Sequence, residues 1–175
     1  MTRASQPSAF LASVVDELPR GSVLEVAVGE GRNALFLASR GFDVYGIDRS
    51  EEALARAREE ASRRGLDLKL VRADLEDFPL PRDRFDVVVD IRYLQRSLIP
   101  AMKAALKPGG RIVFETFTVE QLARGHPRNP AFVLEHGELL RWFSDFRILR
   151  WEEGELESES GPLFLARLLA EKPRS

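Results

Sequence analysis

Ser22-Val23-Leu24-Glu25-Val26-Ala27-Val28-Gly29-Glu30-Gly31-Arg32-Asn33 decides the fold. Val23 to Val28 is nearly all apolar, the composition of a strand covered on both faces. It breaks into a loop of small residues at 27, 29 and 31, and a helix starts near Glu30. Small residues let the backbone approach a ligand closely, and the first turn of a helix offers unpaired N–H groups and a positive dipole end. The next apolar run, Phe42 to Ile47, ends on Asp48. In doubly wound sheets a carboxylate at the tip of the second strand accepts the two hydroxyls of a ribose, so the pair of motifs predicts an adenosine-containing ligand.

Outward from this centre, strand and helix patterns alternate, which predicts a parallel sheet with right-handed crossovers. Pro7 to Leu18 reads as an amphipathic helix within a helical lid over residues 1–20. Arg32 to Arg40 reads as a helix closed by Gly41. Ser50 caps a helix whose first turn holds Glu51 and Glu52 and which stops at Gly65. Leu66 to Arg72 and Phe85 to Val89 read as strands. Arg92 to Leu106 reads as helical, with Pro100 opening its second half. Pro108-Gly109-Gly110 predicts a sharp turn into a strand over Arg111 to Phe117, and Thr118 with Gln121 resembles a capping box. Arg124 to Val133 reads as loop and Glu138 to Phe143 as a short helix. Residues 145–171 read as a hairpin, with strands Phe146 to Trp151 and Leu163 to Leu169 and the acidic stretch Glu152 to Ser160 as a solvated turn. Trp142, Phe143, Phe146 and Trp151 are expected in the core.

The 175 residues suit a single domain, 1–175, and leave no room for a large substrate domain. A net charge of -2 gives no basic field for nucleic acid or an anionic membrane. Without cysteine there are no disulfides or thiolate sites, and two histidines leave little for zinc, so no metal is expected. No apolar run of membrane-spanning length and no signal-peptide core is present, so the chain is expected to be cytoplasmic. Arginine far outnumbers lysine, and Asn, Gln and Met are scarce, a thermophile-like composition.

Five pieces in order, VLEVAVGEGRN, VYGIDRS, VRADLEDFPLP, FDVVVD and LKPGGRIVFETF, resemble class I S-adenosylmethionine-dependent methyltransferases over nearly the whole chain. GRNALFLASRG, and ETFT followed by GHPRNPAFVL, are similar to the small-molecule branch of tellurite-resistance and thiopurine methyltransferases. The resemblance implies a Rossmann-like, mostly parallel seven-stranded α/β sheet with an antiparallel C-terminal hairpin. It implies S-adenosylmethionine as cofactor, S-adenosylhomocysteine as product and no metal. Position by position, it implies that Glu25 lies near the methionine amino group. Ala27, Gly29 and Gly31 pass under the methionine and ribose, with Asn33 beside them, and Asp48 takes the ribose. Asp74 and the Leu75 N–H take the adenine, and Asp90 lines the junction with the acceptor. Ala27 stands where glycine is commoner, which asks for an ordinary backbone conformation there. Arg49 replaces a usual apolar residue, and its guanidinium plane can stack on the nucleoside.

A sulfonium methyl is already activated, so the protein must chiefly align a nucleophile behind it and exclude water. A thiolate or metalloid oxyanion needs no general base, and no base constellation stands out. Asp90, Tyr93 and His126 are the candidate catalytic groups, His136 also being available for a base-dependent acceptor. Arg92, Arg96, Arg124, Arg128 and Asn129, with Thr116 and His126 nearby, are candidates for an anion-binding acceptor pocket, because arginine offers forked donors to oxyanions. The predicted partner is a small, anionic or soft acceptor, with no nucleic acid and no membrane, the chain being a monomer or homodimer. Two alternatives stand beside this reading: a non-catalytic cofactor-binding subunit, and an NAD-dependent oxidoreductase using Gly29-x-Gly31-x-x-Ala34.

Overall fold

A computed structural model describes residues 6–175. The first five residues of the expected 1–20 lid lie outside the described residues. Strands β1 (Ser22–Val26), β2 (Asp43–Asp48), β3 (Leu68–Arg72), β4 (Phe85–Ile91), β5 (Leu106–Phe117), β6 (Arg147–Ser158) and β7 (Gly161–Glu171) form one sheet in the order β3-β2-β1-β4-β5-β7-β6. The first five strands are mutually parallel, and β7 inserts antiparallel between β5 and β6. Helices α1 (Ala9–Val14), α2 (Arg32–Ser39), α3 (Glu51–Arg64), α4 (Ile99–Ala105) and α5 (Glu138–Trp142) flank it.

Every residue of β1 is buried, as its apolar run requires. Alternate side chains of β1 and β4 go to opposite faces. Leu24, Val26 and Val88 join Met102, Phe114 and Phe143 under α4 and α5, while Val23, Val87 and Val89 join Leu11, Leu37 and Leu54 under α1, α2 and α3. Phe143 and Phe146 are buried, and Trp142 and Trp151 pack partly buried on the same core. Because β2 and β4 lie on either side of β1, the chain reverses its winding between β1 and β4. That switch point opens a crevice at the carboxyl ends of the strands, where ligands bind in such sheets.

Several local expectations change. The N-terminal helix is one short α-turn, capped by the Ser8 side chain, that passes into a 3₁₀ turn over Val15–Glu17. No helix starts at Arg92: its φ is +63°, and its N–H donates to Glu115 O at 2.6 Å, prolonging the β4 and β5 pairing before a 3₁₀ turn at Arg96–Leu98 leads into α4. Pro108-Gly109-Gly110 lies inside β5 as an irregularity of its register with β4, since β5 already begins at Leu106. Thr118 caps no helix, because its hydroxyl bonds Glu120 instead, and the Gln121 amide bridges His126 O and the Phe164 N–H. The acidic stretch is mostly strand: β6 runs to Ser158, and only Glu159 and Ser160 turn the chain into β7. Its exposed glutamates make β6 a charged edge strand, which discourages edge-to-edge pairing.

Candidate functional site

The loop after β1 repeats a left-handed backbone at alternate residues, with φ +53° at Ala27, +58° at Gly29 and +87° at Gly31. Ala27 therefore does not have the ordinary conformation expected of it. A Cβ at Gly31 would stand 3.1 Å from the Ala57 Cβ of α3, whereas a Cβ at Gly29 would meet nothing within 4 Å. Gly31 thus admits close helix packing, and Gly29 keeps the backbone open to the crevice. Asp48 fastens the loop: its Oδ2 accepts the Gly29 N–H at 2.8 Å and its Oδ1 the Ser50 N–H at 2.9 Å. Each carboxylate oxygen has a second lone pair, so both can still accept a hydroxyl. Ser50, not Asp48, caps α3, accepting from the Ala53 N–H at 3.1 Å.

At the tips of β1 and β4, two acids lie buried side by side in sequence register, Glu25 opposite Val89 and Asp90 one residue further. Asn33 Nδ2 donates to Glu25 Oε2 at 3.3 Å, and Asn33 Oδ1 accepts the Ser8 N–H at 2.8 Å, so the segment before α1 is tied to the Glu25 carboxyl. Glu25 Oε1 and both Asp90 oxygens are buried without a protein partner. Burial pushes the Glu25 pKa up to about 8, against the Asn33 hydrogen bond and the Arg32 charge. Burial raises Asp90 well above the usual carboxylate range, and the charge of Glu25 adds to the rise. Unpaired buried acids are costly, and a cation brought between them relieves that cost.

A cavity of about 460 Å³ runs across the strand tips, walled by Ala27, Asp48, Arg49, Asp74, Leu75, Glu76 and Tyr93, with Phe132 at its side; the buried Glu25 and Asp90 do not line it. Asp74 Oδ1 accepts the Glu76 N–H at 3.0 Å, fixing the turn that carries Leu75. The Tyr93 hydroxyl donates to Gln95, whose amide reaches Leu75 O at 3.3 Å, joining the loops after β3 and β4 into one wall. Burial, then the charges of Asp90 and Asp74, raise the Tyr93 pKa, so the phenol keeps its proton near neutrality.

The remaining candidates are dispersed. Arg92 stacks over Phe117, with Nε 3.3 Å from Glu115, and its Nη2 stands 2.9 Å from Glu159 without hydrogen-bond alignment. Arg96 forks onto Glu138 and onto two backbone carbonyls. Arg124 bonds Glu155 and Pro162 O. Arg128 is exposed beside Gly125 O, and Asn129 caps the 3₁₀ turn Pro130–Phe132. His126 is exposed, edge-on to Phe117, and His136 contacts Glu120 at the surface. Carboxylates of the chain stand against the guanidinium groups of Arg92, Arg96 and Arg124.

One feature was invisible to sequence reading. Glu159, expected in a solvated turn, has a side chain only 3% exposed, 2.8 Å from Arg32 Nη1, and accepts the Ala9 N–H at 3.3 Å. With Arg92, Glu115 and Arg167 it completes an alternating chain of charges from α2 to β7, with Glu115 Oε2 2.7 Å from Arg167. No local pattern signals it, since its partners come from elements far apart in sequence.

A doubly wound sheet with an inserted antiparallel last strand, a glycine loop latched by an aspartate, and two buried acids at neighbouring strand ends make a Rossmann-like methyltransferase architecture. The profile of the family described as "Methyltransferase domain" matches residues 23–110, half of the chain. The chain is 34% identical over 142 residues to phosphatidylethanolamine N-methyltransferase of Cereibacter sphaeroides, covering 74% of this chain and 66% of that protein. It is 29% identical over 165 residues to hemagglutinin 1 of Eikenella corrodens, covering 86% and 54%. Among solved structures, TehB from Haemophilus influenzae superposes with a TM-score of 0.78 at 25% identity, over 93% of this chain and 61% of that one. The chain belongs to the methyltransferase-domain family. It spans about half to two thirds of the length of these curated relatives. This membership supports methyl transfer over the nicotinamide alternative. Among the described residues no group of metal-ligating side chains could hold an ion, and no helix is long and apolar enough to cross a membrane.

Proposed function

We propose that this chain transfers the methyl group of S-adenosylmethionine to a small-molecule acceptor by in-line displacement. The observation that carries the reading is the pair of buried acids, Glu25 and Asp90, with partnerless oxygens near the carboxyl ends of the adjacent strands β1 and β4, next to the glycine loop. A ligand with an α-ammonium group and a neighbouring sulfonium has the charge these oxygens lack. Glu25, held by Asn33, takes the ammonium. Ala27, Gly29 and Gly31 give the backbone surface beneath the methionine and ribose, and Asp48 takes the ribose hydroxyls. Asp74 and Leu75 hold the adenine, with Arg49 along the outer wall. The bound sulfonium supplies an activated methyl carbon. The acceptor's lone pair forms the new bond to that carbon as the carbon–sulfur pair passes to sulfur.

Asp90 stands where the acceptor side begins. Buried and held protonated by its surroundings, it serves better to position the acceptor or steady the cation than as a ready base. Tyr93 keeps its proton and serves as a donor. A soft acceptor such as a thiolate or metalloid oxyanion needs no general base and suits the site, a reading that the likeness to TehB supports. His126 and Arg128, exposed on the loop after β5, are the candidates left for contact with an anionic acceptor, with Asn129 beside them.

Calorimetry tests the cofactor half: S-adenosylhomocysteine binds, NAD does not, and Asp48→Ala weakens binding at least tenfold. Preference for NAD, or no binding of either, overturns the proposal. Release of S-adenosylhomocysteine across thiols, metalloid oxyanions, carboxylates and amines tests the acceptor half. Tight binding with no turnover of any of them would instead mark a cofactor-binding subunit.

A further inference from the structure

Phe132 is 52% exposed, the most exposed large apolar side chain of the described residues, yet its backbone is held with unusual thoroughness. Arg96 reaches across from the loop after β4 and donates to the carbonyls on both sides of it, Nη1 to Ala131 O at 2.9 Å and Nη2 to Val133 O at 2.9 Å. The same guanidinium is fixed in turn by Glu138, with Nε 2.7 Å from Oε2 and Nη2 3.0 Å from Oε1. Asn129 Oδ1 accepts the Ala131 N–H at 2.9 Å, and Pro130 opens the turn. Just beyond, buried Leu134 is stitched to β5 through Phe117 O at 2.8 Å. A loop pinned at both ends and around its middle fixes the Phe132 backbone, and the ring lies at the side of the 460 Å³ cavity.

Which end of the cavity it serves follows from strand order. The nucleoside residues come from the tips of β1, β2 and β3, whereas Phe132 arrives from the loop after β5, beyond β4 and Asp90. We propose that Phe132 is a specificity-determining residue that forms an apolar wall for the methyl acceptor and selects acceptors with a flat apolar body, Arg96 being the positioning residue that presents it. The proposal rests on the methyl-transfer reading above and narrows its acceptor to one with a flat apolar body, such as an aromatic thiolate, in place of a bare metalloid oxyanion. An exposed aromatic ring gains from stacking on a flat partner as well as from burial. The Arg96 fork already holds two carbonyls and a carboxylate, so it contributes alignment and takes no part in anion recognition.

Binding of 2-naphthol, measured by fluorescence with and without saturating S-adenosylhomocysteine, tests this. Wild-type protein is expected to bind it, and Phe132→Ala to weaken it about tenfold while the S-adenosylhomocysteine Kd stays within twofold. Arg96→Lys keeps the charge but loses the fork, and is expected to weaken naphthol severalfold with an unchanged cofactor Kd. In the double variant the losses should not add, the signature of one residue acting through the other. The inference is overturned if wild-type protein does not bind naphthol, if Phe132→Ala leaves naphthol binding unchanged, or if it weakens S-adenosylhomocysteine equally, which would make Phe132 a cover for the nucleoside. Failure of S-adenosylhomocysteine to bind would sink the methyl-transfer reading separately, because the naphthol titration on protein alone still reports on Phe132.

Discussion

Ala27 shows how a single dihedral angle separates a sequence pattern from its physics. An L-residue in the left-handed region costs about 1 kcal/mol relative to glycine, and the loop accepts that cost at φ +53°. Ala27→Gly is therefore expected to raise Tm by about 2–4 °C in differential scanning calorimetry. An unchanged or lower Tm would mean that the alanine methyl repays its strain by packing. The neighbouring Glu25 makes a sharper prediction. If its carboxylate meets the α-ammonium of the cofactor, Glu25→Gln should weaken S-adenosylhomocysteine at least tenfold. It should leave 5′-methylthioadenosine, which lacks the amino-acid arm, within twofold. Equal losses for both ligands in isothermal titration would move Glu25 from ligand contact to scaffold.

Among the elements, the hairpin of β6 and β7 carries more of the site than its acidic composition suggests. Its tip delivers Glu159 to Arg32 at the start of α2 and to Arg92 after β4. Burial tends to raise the Glu159 pKa, but the hydrogen bond from Arg32 and the charge of Arg92 outweigh it and hold the group below the ordinary glutamate value. A depressed carboxylate stabilises the fold above its unfolded pKa, and that stability is lost as pH falls through the folded one. Glu159→Gln should thus cost about 2 kcal/mol at pH 7 in urea unfolding, less than a fully buried pair because Arg32 keeps some exposure. The difference from wild type should shrink below about pH 4, and a gap that stays constant with pH would refute the ionic account. The glycine loop, the cap at Ser50 and the alternation of strand and helix were legible because each is a local pattern. Glu159, the Arg96 fork and the left-handed turn at Arg92 were not, since each depends on which distant elements the sheet brings together. A run of glutamates reads the same whether its last member meets water or two guanidinium groups.

For the whole molecule, the two kinds of displaced acid give pH a double effect. Glu25 holds its proton up to about pH 8 in the folded chain but would lose it near 4.5 when unfolded. Between those values the native state binds the extra proton, so this group's contribution to stability falls as pH rises, the reverse of Glu159. Asp90 acts in the same direction as Glu25. A ligand ammonium seated against the Glu25 carboxyl requires that group ionised, so its binding should expel a proton. The S-adenosylhomocysteine Kd should then tighten by up to about tenfold per pH unit between pH 6 and 8, and level off above. The thermal shift follows from the same linkage: ligand at one hundred times Kd stabilises by about 2.7 kcal/mol, and at fixed concentration the shift should grow from pH 6 to pH 8. In calorimetry the apparent binding enthalpy should change with the ionisation enthalpy of the buffer, and Glu25→Gln should flatten both dependences. A Kd independent of pH, with no buffer dependence of the heat, would mean that the buried acids do not meet the cation, and the cofactor's amino-acid arm would have to lie elsewhere in the crevice.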